Sequence, residues 1–435
     1  MAAGVRQAWR QAALNDTIFA LSSGSPPAGI AVVRISGPQA DASLRHLARR
    51  VPEPRRAALL TLRDGDDVLD RALVLRFPGP ASATGEDVVE LHLHGGRAVV
   101  EGVLAVLQAQ PGLRPAAPGE FTRRAFEHGR IDLAEAEGLA DLLLAETQSQ
   151  RRAAIAAAGG TLSRQVMRWT DTLLGIAALV EAELDFADED DVGNVDSGAI
   201  NDRCRALVSE IDRMLAQPPA ERLRDGIRVV IAGPPNAGKS SLLNALVGRQ
   251  AAIATAIAGT TRDIIEAPVA FEGVPFVLTD TAGLREAQDS IEQIGVGLAQ
   301  QAVAAADIVL WLGAPEEAPP TAVKVSSKSD VVPADEAADL SVSAATGEGL
   351  DQLRALLLER AASLLPAEGE AAFNHRQRRA LGDCTAALRD AASSDDLLVV
   401  AEFLRLGRAA LDRVTGRAHV EDMLDGLFGK FCIGK

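Results

Sequence analysis

The chain has 435 residues, length for about three domains. Hydrophobic residues make up 47% and aromatics 3%, with no Tyr, so the core is built mainly from Ala, Leu and Val. A net charge of −16 excludes a general nucleic-acid coat, though not a local basic patch.

The first fourteen residues carry Arg6 and Arg10 and no acid. They have no long apolar segment or cleavage site, and read as a disordered extension rather than a targeting peptide. Short apolar runs broken by Gly and Pro follow, to about residue 118. Ile30–Ile35 reads as a strand closed by Ser36-Gly37-Pro38, and Leu73–Phe77 as another stopped by Pro78. Val89–His94 alternates strictly, which predicts a half-buried strand. Ala98–Leu107 reads as helix. His92 and His94 share a strand face, but with no third ligand nearby they read as solvated histidines.

From Ile131 the pattern becomes helical. Asp132 and Glu135 fit a capping box, and Leu133, Ala136, Leu139 and Leu143 fall near one helical face. Helix formers continue to Ala158, where Gly159-Gly160 ends the run. Leu162–Phe186 and Ile200–Leu215 are further helices. Between them lies an acidic cluster, Asp185 and Asp188 to Asp191, read as a solvated loop; an acidic patch guiding a partner is the other reading. Pro218-Pro219 marks a boundary.

Residues 227 to about 363 alternate strand and helix, the signature of an α/β unit. Ile227–Ala232, Phe276–Asp280, Ile308–Leu312 and Leu340–Ser343 are its expected strands, and Leu350–Leu358 its closing helix. After a linker, Pro366–Ala372, helical patterns return at Arg376–Arg389, Asp395–Val414 and Val420–Leu427. The α/β unit is thus inserted in a helical domain.

The first strand of that unit leads into Gly233-Pro234-Pro235-Asn236-Ala237-Gly238-Lys239-Ser240, which fits G-x-x-x-x-G-K-S. Loop and helix N–H groups of such a phosphate loop face an anion. Lys239 adds a point charge and Ser240 a hydroxyl for Mg²⁺. Asp280-Thr281-Ala282-Gly283 fits D-x-x-G at a strand end, and Gly259-Thr260-Thr261 lies where a first switch supplies a Thr to Mg²⁺. Ser327-Lys328-Ser329-Asp330 stands where N-K-x-D reads guanine. Asp330 would accept from guanine N1 and N2, each bond worth roughly 1.5–3 kcal/mol, and adenine leaves it unpaired. Ser343-Ala344-Ala345 fits the S-A-x contact to the base. Together, in order, these motifs predict GTP binding. Leu284 stands where a water-positioning Gln is usual, so that group must come from elsewhere, with Glu286 and Glu292 the candidates. A monovalent cation with oxygens from Asn236 and Thr255–Thr261 would supply missing positive charge.

These residues resemble the MnmE/TrmE family of bacterial tRNA-modification GTPases, which act on the wobble uridine. The likeness spans nearly the whole chain. It includes Asp16-Thr17-Ile18, Thr84–Leu91, Pro118–Thr122, the phosphate loop, Ile257–Asp263, Asp280–Arg285 and the terminal Phe431-Cys432-Ile433-Gly434-Lys435.

The resemblance implies an α+β folate-binding and dimerisation domain at 1–118 and an all-α domain at 119–217 and 366–435. A Ras-like G domain is inserted at 218–365. It implies a GTP site of Asn236 to Ser241, Thr255 to Thr261, Asp280 to Gly283, Lys328, Asp330, Ser343 and Ala344, which includes Ala237, Gly238, Ser241, Ala256, Ala258, Gly259, Thr281 and Ala282. Ser240 and Thr261 are the implied Mg²⁺ ligands, and Asn236, Thr255, Ile257 and Thr260 the implied K⁺ ligands. Glu292 matches the water-orienting glutamate. Arg34, Glu90, Arg130 and Lys435 match the contacts to a folate, 5,10-methylenetetrahydrofolate or its 5-formyl analogue. Cys432 is the implied reactive thiol, whereas Cys204 and Cys384 sit in helical patterns and read as core.

A cytoplasmic homodimer is implied, joined by the FAD-dependent MnmG (GidA) in a heterotetramer that modifies tRNA. No membrane is involved, as no apolar run is long enough to span one. Two features depart from the family pattern. Ser327 replaces the Asn that ties the base loop to the phosphate loop, which predicts weaker nucleotide affinity. The stretch 313–322 is too short for the usual crossover helix, which puts the stability of that side in question. Two rival readings stay open: a regulatory GTPase in ribosome assembly, and a nucleotide-binding module with little turnover.

Overall fold

The computed structural model describes residues 16–185, 197–248, 266–281, 301–333, 335–367, 372–417, 427–429, 431 and 433–434. The chain divides into two compact units, Met1–Ala140 with Thr415–Lys435, and Asp141–Val414.

The first unit is built on a six-stranded sheet of order β3-β4-β5-β2-β1-β6. Its strands are β1 (Thr17–Leu21), β2 (Ala28–Ser36), β3 (Ala58–Asp64), β4 (Asp67–Phe77), β5 (Val88–Gly95) and β6 (Leu113–Pro115). All pairings are antiparallel except β1 with β6. Val33, Ile35, Val89, Leu91 and Leu93 point to one face and are buried under the helices Ala40–Ala48 and Arg97–Gln108. The expected alternation of β5 is therefore present, with Glu90, His92 and His94 on the other face. That face also exposes Ile30 (62%), Leu59 (60%) and Leu73 (40%). The strand expected at Leu73–Phe77 begins earlier, at Asp67, because a hairpin joins it to β3.

Asp132 and Glu135 do form a reciprocal cap: each backbone N–H donates to the other's carboxylate, at 2.8 and 2.9 Å. The helix they start, Leu133–Leu144, buries Leu133 and Ala136 against Phe428 and Phe431 from the chain end. Gly119 caps the next-earlier helix, Glu120–Glu127, at φ 69°, and an added Cβ would lie 2.3 Å from the Phe428 carbonyl oxygen.

In the second unit, one helix was expected to run on to Ala158. Instead the chain breaks after Leu144, and a new helix, Gln148–Ala158, starts under its own capping box. Thr147 accepts from the Gln150 N–H, and the Gln150 side chain accepts from the Thr147 N–H. Those bonds satisfy helix-end donors that a continuous helix would not expose. The helices Thr161–Asp185 and Ser197–Leu215 follow. Trp169 is fully buried with its ring 6.3 Å from Phe373, which lies beyond the α/β sheet in sequence. Arg378, on the helix His375–Ala391, donates to the Leu215 and Gln217 carbonyls at 2.5 and 3.0 Å. Helices before and after the insertion thus pack together, as expected. Asp188 to Asp191 lie outside the described residues, as does most of the helix expected at Val420–Leu427.

The inserted sheet has order β12-β11-β10-β7-β9-β8. It comprises β7 (Ile227–Ala232), β8 (Glu266–Phe271), β9 (Val274–Asp280), β10 (Ile308–Trp311), β11 (Val323–Ser327) and β12 (Leu340–Val342). Only the β8–β9 pairing is antiparallel. The connection from β10 to β11 holds a 3₁₀ turn, Pro315–Glu317, and no α-helix, as its length predicts.

Glycines at positive φ separate strain from contact. Gly129→Ala (φ 64°, open space around the Cβ) pays only the left-handed penalty, about 1–2 kcal/mol. Gly119→Ala pays that and the clash with Phe428, so urea denaturation is expected to show the larger loss for Gly119→Ala.

Candidate functional site

The strand β7 feeds the phosphate loop into the helix Lys239–Gly248. Gly233 (φ 146°) and Gly238 (φ 91°) make the turns, and Asn236 sits at φ 61°. A Cβ on Gly233 would meet the Leu312 backbone at 3.0 Å, so the loop lies close against the end of β10. Lys239 is buried, and its Nζ donates to the carbonyls of Gly233 (3.1 Å) and Pro234 (2.8 Å). An ammonium held over its own loop is placed for anionic oxygens.

Asp280 ends β9, which runs parallel to β7 with Ile231 opposite Asp280. That register brings the Ser240 hydroxyl onto the Asp280 carboxylate, where it donates. A hydroxyl and a carboxylate at one point form a hard oxygen donor set, which suits Mg²⁺. The Thr281 hydroxyl donates to the Ile231 carbonyl at 3.1 Å and pins the strand end.

The base loop follows β11. The Ser327 hydroxyl donates to the Ala237 carbonyl at 2.6 Å, and Lys328 Nζ donates to the Asn236 carbonyl at 2.7 Å. The expected loss of the tie at Ser327 is therefore corrected: a shorter side chain makes the same kind of link. Asp330 is exposed, and its Oδ1 accepts from the buried Ser343 hydroxyl at 2.6 Å. Ser343 in turn accepts from the Thr346 N–H at 3.1 Å, which fixes its rotamer. Ala344 continues that turn. One Asp330 oxygen is thus held in place by Ser343.

The structure brings together Asn236 to Ser241, Asp280, Thr281, Lys328, Asp330, Ser343 and Ala344. Thr255, Ala256, Ile257, Ala258, Gly259, Thr260, Thr261, Ala282, Gly283, Leu284, Glu286 and Glu292 lie outside the described residues, as do Cys432 and Lys435. Of the metal sets, Ser240 and Asn236 alone are described.

A second site lies on the first unit. Arg34 on β2 faces Glu90 on β5, and its Nε and Nη2 donate to Glu90 Oε1 at 3.0 and 2.9 Å. The guanidinium stands 5.6 Å from the centre of the Phe121 ring. His92 Nε2 is buried without a hydrogen-bond partner and lies 3.6 Å from Glu90 Oε2, too far for a hydrogen bond. The reading of His92 as solvated is corrected. His94 is solvated, and its Nδ1 sits 2.7 Å from Asp70. No group of three or more His, Cys, Asp or Glu among the described residues could hold a metal ion.

The chain end packs against β1. A Cβ on Gly434 (φ 98°) would lie 2.1 Å from the Leu21 carbonyl oxygen, and Ile433 bridges to Pro118. Leu21 pairs with Val33, next to Arg34. Arg130 is exposed, with its N–H on the Ala125 carbonyl at 2.8 Å.

The first unit also holds an ion network that sequence reading missed, although Asp16, Glu86 and Glu120 sit in the Asp16-Thr17-Ile18, Thr84–Leu91 and Pro118–Thr122 motifs. Arg124 contacts Glu86 (3.0 Å), Asp16 (2.6 Å) and Glu120 (3.1 Å). Burial works against the Arg124 charge, but those carboxylates outweigh it and hold its pKa above the usual range. Glu86 also accepts from the Ser36 hydroxyl at 2.6 Å. Cys204 and Cys384 are core residues, as expected; burial pushes their thiols up to about 11 and about 12.

The sequence profile for the MnmE helical domain matches residues 133–432, and that for the GTP-binding protein TrmE N-terminus matches residues 17–130. The chain is 61% identical over 98% of its length to the tRNA modification GTPase MnmE of Rhizorhabdus wittichii, covering 98% of that protein. It is 55% identical to proteins of the same description from Erythrobacter litoralis and Novosphingobium aromaticivorans, over 97% of this chain and all of each relative.

Ser327→Ala removes one hydrogen bond worth about 1 kcal/mol, so GTP Kd is expected to rise about fivefold. Ser327→Asn is expected to bind like the parent. Titration with a fluorescent GTP analogue measures both.

Proposed function

The chain belongs to the MnmE family of tRNA modification GTPases, and on that premise we propose that it hydrolyses GTP to drive carboxymethylaminomethyl or aminomethyl addition at the wobble uridine of certain tRNAs. The addition is at C5 and requires an FAD-dependent partner, MnmG. A methylenetetrahydrofolate supplies the carbon and binds at Arg34, Glu90, Arg130 and Lys435. The observation that supports this reading is the packing of Gly434 against β1, the strand that pairs with the Arg34-bearing β2. The exposed Ile30, Leu59 and Leu73 on that face support homodimerisation through residues 1–118. In this reading residues 119–217 and 366–435 form the helical domain around a G domain at 218–365. The protein works in the cytoplasm; no described helix is long and apolar enough to cross a membrane.

Ser240 and Thr261 hold Mg²⁺, which neutralises charge on the phosphates when bound. Asn236, Thr255, Ile257 and Thr260 hold K⁺. Glu292 orients the attacking water in place of the Gln absent at Leu284. Asp280 positions Ser240, and Asp330 selects guanine. The tie at Ser327 argues against a degenerate binding module, because the base loop keeps its anchor.

GTP hydrolysis is expected to be faster in KCl than in NaCl, and Glu292→Ala to lower kcat at least tenfold with GTP affinity unchanged. Equal, negligible rates in both salts would instead favour the binding module. Mass analysis of tRNA nucleosides from cells lacking this protein is expected to show loss of the wobble modification. Cys432→Ser is expected to fail to restore it while keeping GTPase activity; full restoration would remove Cys432 from the chemistry.

A further inference from the structure

Between the helices Ser197–Leu215 and His375–Ala391 lies an open cavity of about 640 Å³ that belongs to neither site above. Arg205, Ser209, Asp212, Arg213 and Arg389 line it, with Val208 as an apolar wall. Three guanidiniums thus face one carboxylate, in a chain whose net charge is −16.

The carboxylate is already engaged: Arg389 Nη2 donates to Asp212. Arg205 pairs at 3.1 Å with Asp202, which does not line the cavity, and both side chains are mostly exposed. Such a pair is worth about 0–1 kcal/mol and yields readily to a competing anion. Arg213 has no ion-pair or hydrogen-bond partner among the described residues. Arg205, Ser209 and Arg213 follow at four-residue steps on one helical face, a rise of about 12 Å end to end. Cys204, Leu207, Val208 and Ile211 are buried on the same helix, and they hold that face in place. A row of this length suits an extended polyanion better than one phosphate.

We propose that this cavity docks the phosphodiester backbone of RNA. The proposal rests on the reading that the chain acts on tRNA. A strongly acidic protein repels RNA at long range, so contact requires a local patch of guanidiniums, which bind phosphate as planar forks.

The test is fluorescence anisotropy of labelled tRNA with the full chain over a range of KCl concentrations. Arg205 and Arg213 are exposed, so R205Q/R213Q is expected to fold, which circular dichroism checks. In that variant tRNA Kd is expected to rise at least tenfold, and the slope of log K against log salt to fall by about two. GTP hydrolysis is expected to stay at the parent rate. D212N removes the one negative charge and is expected to tighten binding about two- to threefold. Inorganic phosphate at matched ionic strength is expected not to displace tRNA; displacement would mark a site for small anions and overturn the proposal. Unchanged affinity and slope in R205Q/R213Q, with the parent binding tRNA, would overturn the docking site alone. A parent chain that binds no tRNA would overturn the tRNA reading with it.

Discussion

The nucleotide site depends on strand direction. β7, β9, β10, β11 and β12 run parallel, so their C-terminal ends share one edge of the sheet. The phosphate loop follows β7, Asp280 ends β9, Ser327 ends β11 and Ser343 follows β12. That shared edge brings Ser327 and Ala237, ninety positions apart, within hydrogen-bond reach. The sheet holds because both its faces are dry. Ile227, Val229 and Ile231 point to one cluster, and Val230 and Ala232 to the other. Each buried Val or Ile is worth about 1.5–3 kcal/mol. That stabilisation offsets a buried lysine and a loop with three residues at positive φ.

This direction was legible in the sequence because a parallel strand buried on both faces reads as a continuous apolar run. Val88–Gly95 was legible for the opposite reason, since a half-buried strand alternates. Other elements were not. The hairpin partner β3 carries Arg63 and Asp64 in its run, and β8 carries Pro268, so neither gives a clean period. The break after Leu144 was hidden because Thr147 and Gln150 are tolerable helix residues, and only their reciprocal bonds reveal a cap. Site residues fared similarly. Motif spacing placed Asp330 and Ser343, but the Arg124 network joins Asp16, Glu86 and Glu120 across more than a hundred positions. Spacing carries no signal over such a separation.

The short β10–β11 connection shows how a helix can be dispensed with. Trp311 ends β10, and its indole N–H donates to the Ala314 carbonyl at 3.0 Å. A Cβ on Gly313 would come within 2.8 Å of that indole, so the turn closes tightly over the ring. Val230, Ala232, Val309 and Ala322 are buried in a small cluster with Trp311 and Ala318 against it. Trp311 and Ala318, together with Ala302, Val303 and Ala306 before β10, thus cover this apolar surface. Ser327 is a second economy of the same kind: a hydroxyl makes the bond to the Ala237 carbonyl that a longer amide makes in the usual motif.

The Arg124 network and the Arg34–Glu90 pair of the first unit have opposite physical characters, and this decides which can meet a ligand. Arg124 is almost wholly buried, and three carboxylates surround it. Removing one partner from such a group costs about 3–5 kcal/mol, so it is fixed framework. It ties the loop around Glu86 to the helix Glu120–Glu127. Arg34 and Glu90 are a quarter or less exposed but joined through one carboxylate oxygen only. Glu90 Oε2 has His92 beyond hydrogen-bond range, and His92 Nε2 has no partner. An unsatisfied buried nitrogen costs about 1–3 kcal/mol, and a polar ligand that bonded it would recover that amount. The unsatisfied His92 nitrogen therefore lies beside the Arg34–Glu90 pair where β2 and β5 meet, and the satisfied Arg124 network shares no residue with it. A ligand arriving there gains hydrogen bonds without breaking the framework that holds the strands in register.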